Sequence, residues 1–174
     1  MGWIQPHIVR DLEPGDPVDI TIGSLAATGD AIVIPAAGEI HDGPLNEYMI
    51  VDLFAPEGLN RYDAADFQLQ DTVGVRIYHV DSRMERRELS GSDGKIYPIG
   101  TIHYACAYEE DGKYLIELLQ AGRKNTFTSK TNTRSSILPQ DLFQEGAIFT
   151  AEGWSEFLTD GRMGDGSEFG YSIQ

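Results

Sequence analysis

Asn46-Glu47-Tyr48-Met49-Ile50-Val51-Asp52 and Gly74-Val75-Arg76-Ile77-Tyr78-His79-Val80-Asp81 are the two stretches from which the fold is read. Each buries alternate apolar residues and sets charged or imidazole groups at its ends, the period of two that belongs to a strand. The chain between them turns through Gly58-Leu59-Asn60. On extended backbone Glu47 and Asp52 point to opposite faces, because their separation is odd. His79 and Asp81 share one face with Val75 and Ile77. An imidazole on an otherwise apolar face must satisfy its ring nitrogens. If the two strands pair antiparallel, Glu47 or Asp52 supplies the carboxylate that does so. We read these residues as hydrogen-bonded structure in preference to a catalytic or metal site.

Outward from this pair, glycines (19) and prolines (8) punctuate short apolar runs along the whole chain, as in an all-β domain. Strands are expected at 18–22, 31–34, 47–54, 72–80, 101–108, 113–119, 146–150, 154–158 and 168–173. Glu109-Glu110-Asp111-Gly112 and Ser92-Asp93-Gly94 read as turns. Pro139-Gln140-Asp141-Leu142-Phe143 reads as a single helical turn with proline in its first position. Residues 125–136 are polar and read as a long surface loop or a poorly ordered insertion. The expected architecture is a single all-β domain over 1–174, a β-sandwich of about eight to ten mostly antiparallel strands with little helix.

The chain has 174 residues, enough for one domain that buries roughly 70% of its unfolded surface. It carries 13 basic and 28 acidic residues, a formal net charge of −15. Such a surface repels phosphate backbones, which excludes nucleic acid as a partner. No stretch approaches the ~20 apolar residues of a membrane span, so no membrane insertion is expected. Met1-Gly2-Trp3 runs into Gln5-Pro6 with no apolar signal region, so the chain reads as cytosolic or as a fragment of a longer protein. Cys106, between Ala105 and Ala107, is the single cysteine and reads as a small buried hydrophobe.

His7, His41, His79 and His103 are never three or four residues apart, and none precedes a glutamate. The zinc-protease motif His-Glu-x-x-His is therefore missing, as are a CxxC pair, a GxSxG elbow and a phosphate loop. No catalytic residue and no metal ligand set is expected in this chain. Gly161-Arg162-Met163-Gly164-Asp165-Gly166 reads as a turn. With Asp160 before it and Asp165 within it, the stretch is also a weak candidate for an oxygen-rich calcium loop.

The two opening motifs also resemble the region that follows the zinc-binding helix in secreted metalloproteases of the immune-inhibitor-A type. Glu47-Tyr48, with Asp52 as second acid, is similar to that family's Glu-Tyr-Phe strand. Gly58-Leu59-Asn60 is similar to its turn, and Gly74 through His79 and Asp81 to its Gly-Leu-Leu-Ile-Tyr-His-Val-Asp strand. Met1-Gly2-Trp3 resembles the segment that closes the catalytic domain. Leu142-Phe143, Gly146, Phe149 and Phe169-Gly170-Tyr171-Ser172-Ile173 look like its last strands. The resemblance implies a secreted or cell-surface bacterial protein and a non-catalytic accessory β-domain. Its partner would be an upstream catalytic domain that holds the zinc, since this chain has no zinc site of its own.

Two alternatives remain open at the level of sequence. An independent carbohydrate- or surface-binding module would use exposed aromatics such as Trp3 and Trp154 as stacking platforms, although aromatics in strands usually pack inward. A glycosidase would need two carboxylates flanking a cleft.

Overall fold

The computed structural model describes residues 4–9, 15–36, 46–62, 69, 71–104, 114–127 and 136–174, the side chains of Gln5, 85–90 and 97–104 excepted. The Met1-Gly2-Trp3 segment, His41, Cys106, the turn at 109–112 and most of the 125–136 loop lie outside these residues. In chain order the elements are β1 (Gln5–Ile8), one helical turn α1 (Leu25–Thr28), β2 (Asp30–Pro35), β3 (Glu47–Phe54) and β4 (Gly74–Asp81). Then come β5 (Met84–Ser90), β6 (Ile96–Tyr104), β7 (Ile116–Leu118), β8 (Phe149–Thr150) and β9 (Ser172–Ile173), with 3-10 turns at Pro139–Asp141, Ala151–Trp154 and Thr159–Gly161. The all-β class expected from the sequence is the one that forms. No described helix is long and apolar enough to cross a membrane.

One five-stranded sheet dominates, in the order β1-β2-β3-β4-β7, beside two-stranded ladders β5-β6 and β8-β9. All pairings are antiparallel except β1 with β2. The centre of the sheet is the pair read first in the sequence, with Met49 opposite His79 and Val51 opposite Ile77. Opposed residues of an antiparallel pair share a face, so Met49, Val51 and Ile77 stand together with Ile34 of β2. The C-terminal segment covers that face with Phe143, Phe149, Trp154, Leu158, Met163 and Phe169. It is a layer of 3-10 turns and the short β8–β9 ladder, not a second sheet of comparable size.

Aromatic side chains give this layer its geometry. Phe149 packs at 4.8 Å from Trp154 and 6.0 Å from Phe169, centroid to centroid. These are offset and edge-on contacts that suit ring quadrupoles. The Trp154 indole N–H, buried with the ring, donates to the Gln120 carbonyl at 2.8 Å. At the 142–143 step the chain alternates as a strand does. Phe143 joins the main cluster, while Leu142 packs with Phe54 and Leu69 in a second one. Gly74 makes room for this crossing, because a Cβ there would stand 2.7 Å from the Leu142 Cβ.

The sequence expectations depart from the fold at particular places. Residues 18–22 form no strand: Val18 is half exposed, and alternation without a neighbouring ladder or a core to face carries no stability. Residues 154–158 are turn rather than strand, because Trp154 and Leu158 enter the core from successive turns of a tight coil. The expected strands at 146–150 and 168–173 shrink to two residues each, and that at 113–119 to three. β1, β5 and α1 were not anticipated. The single turn at Pro139 and the turn at Ser92-Asp93-Gly94 form as expected.

Phe149 is fully buried at the junction of three other rings. Phe149→Ala should cost about 3–5 kcal/mol in urea unfolding. A loss below about 1 kcal/mol would mean that the aromatic layer does not hold the sheet.

Candidate functional site

Antiparallel pairing of β3 with β4 sets Glu47 directly opposite Asp81. Both acids are buried, at 4% and 1% exposure. Like charges facing each other across a ladder repel, and burial without partners would add a large desolvation cost. Arg83, two residues beyond Asp81, offsets both. Its Nε and Nη2 donate to the two Asp81 oxygens at 2.9 and 2.8 Å, and its Nε lies 3.3 Å from Glu47 Oε2. The Asp81 hydrogen bond raises the Arg83 pKa further above its already high value, although burial acts against it.

The remaining capacity of Glu47 is filled from two directions. His79 Nε2 lies 2.6 Å from Oε1. The backbone N–H of Gly164 donates to the same oxygen and that of Asp165 to Oε2. One carboxylate therefore joins β3, β4 and the C-terminal turn. Glycine is needed at 164, because a Cβ there would stand 2.9 Å from Asp81 Oδ2. Ser82 closes the strand ends: its hydroxyl donates to the Asn46 carbonyl at 2.6 Å and accepts from the Asn46 N–H at 3.1 Å.

Of the residues singled out in the sequence, Glu47, His79 and Asp81 are brought together. Asp52 is not among them. It lies on the opposite sheet face, where it accepts from Arg76 Nε at 2.8 Å. The Arg76 guanidinium stacks between Phe54 and Tyr78, 5.2 and 5.7 Å from their ring centres. Burial pushes the Asp52 carboxyl up from its ordinary value, with Arg76 pulling the other way. Burial likewise raises Tyr78, with Arg76 opposing and Asp52 adding to the rise. Tyr48 is half-buried opposite Val80 on the Asp52 face, and Gly74 sits at the far end of β4.

The two calcium candidates lie in different turns. Asp160 is exposed, at a left-handed φ of 56°. The Asp165 carboxylate accepts the Ser167 N–H within its own turn, at 2.7 Å. Burial would raise its pKa, but the Ser167 hydrogen bonds and the Arg83 charge hold it below its ordinary value. Among the described residues, no three His, Cys, Asp or Glu side chains are grouped to hold a metal. His7 is exposed on β1.

Beside the Glu47 network, a cleft of about 300 Å³ opens between the sheet and the 157–166 turns. His79, Asp81, Glu117, Tyr114, Phe157 and Asp160 are among its lining residues. Glu117 lies opposite His79 on β7 and accepts from Asn125 Nδ2 at 2.6 Å. The sequence reading missed Arg83, Glu117 and Gly164. A cation two positions beyond a buried acid is a signal that could have found Arg83. Nothing local could have found Gly164, which is 117 residues from Glu47. Compared with known proteins, the chain matches no family model, no curated protein and no solved structure.

Two outcomes follow. Glu47→Ala should cost about 3–5 kcal/mol, because it strands buried donors and the Arg83 charge. Glu47→Gln, which keeps one acceptor, should cost about 1.5–3 kcal/mol. Equal, small losses in denaturant unfolding would show that the carboxylate is not the joint. For Asp52, the raised folded pKa means a stabilising contribution that is present below the ordinary value of 3.8 and lost as pH rises through the folded pKa. The stability of the wild type relative to Asp52→Asn should therefore fall as pH rises across that window. A difference that is flat or grows with pH would contradict the burial effect.

Proposed function

We propose that this chain is a non-catalytic accessory β-domain that works beside a zinc-dependent catalytic domain of the immune-inhibitor-A-like kind. Its task is to support that domain and shape access to it, at the cell surface or outside the cell. The observation that carries the proposal is the state of β1. It is the outer strand of the five-stranded sheet, with Ile4 and Ile8 at 59% and 48% exposure. An outer strand with apolar side chains left in solvent is a surface that natural proteins cover. It follows on Met1-Gly2-Trp3, the segment that resembles the close of that family's catalytic domain, and this supports the reading.

The residues that carry the resemblance also support a structural role. Glu47 and Asp81 are both held by Arg83, and Glu47 spends its lone pairs on His79 and the 164–165 backbone. The carbohydrate-binding alternative loses Trp154 as a platform, because that ring is 2% exposed. The other tryptophan, Trp3, is outside the described residues.

Reading the encoding gene upstream of Met1 tests the proposal. The expected result is an in-frame His-Glu-x-x-His helix; a ribosome-binding site with a native start at Met1 would overturn it. With the longer protein in hand, Ile4→Lys combined with Ile8→Lys should change the stability of this domain by no more than about 0.5 kcal/mol. The same pair should weaken its association with the catalytic domain roughly tenfold. Unchanged association would remove β1 as the contact.

A further inference from the structure

We draw no further inference here: the strongest candidate, the acidic cleft of about 300 Å³ between the sheet and the 157–166 turns, carries nothing, because its Glu117 is partnered by Asn125 and no second observation points to a ligand in it.

Discussion

A carboxylate buried at the start of a central strand is the constraint on which the rest of this molecule depends. Glu47 cannot leave water without partners, since an isolated buried charge costs far more than a domain's net stability. Its partners come from His79 and Arg83 on the neighbouring strand side and from the Gly164–Asp165 backbone 117 residues away. Satisfying it brings the C-terminal turn down onto the sheet, and with that turn comes Met163. The energy of the packed layer lies in Phe149, Trp154, Leu158 and Phe169, whose burial is worth roughly 1.5–3 kcal/mol per side chain. The carboxylate adds less net energy than this, because ion-pair gains and desolvation nearly cancel. What it contributes is position: apolar contacts are non-directional, while the Glu47 hydrogen bonds accept one placement of the turn.

The two faces of the sheet handle buried charge differently. On the covered face, two opposed acids share one arginine and draw on backbone donors and an imidazole. On the other, Asp52 and Arg76 form a single pair, with the guanidinium laid between Phe54 and Tyr78. The first arrangement reaches across the whole chain, and the second is local to β3 and β4. The first borders the cleft that the 157–166 turns form over the sheet. β1 forms one edge, and the cleft lies toward β7 at the other.

Where the chain states a local pattern and finds a neighbour of matching pattern, reading it in isolation succeeds. β3 begins and ends where its alternation does, and the odd spacing of Glu47 and Asp52 does send them to opposite faces. Pro139 opens the single turn it was expected to open. Where the pattern exists without a neighbour, as at 18–22, no strand forms. Where burial is reached by successive tight turns, as at Trp154 and Leu158, the spacing of apolar residues imitates a strand. β1 and β5 lack clear alternation and owe their strand state to pairing with β2 and β6.

The sequence by itself determined the all-β class, the central strand pair and the sharing of one face by His79 and Asp81. Each of these follows from periodicity within a few residues. Only the tertiary structure decided that Glu47 rather than Asp52 meets His79, that Arg83 offsets two acids, and that Gly164 supplies the closing N–H. Those choices depend on strand register and on contacts across more than a hundred residues. A charge buried by the global fold takes whichever partners the fold delivers, and local spacing does not encode them.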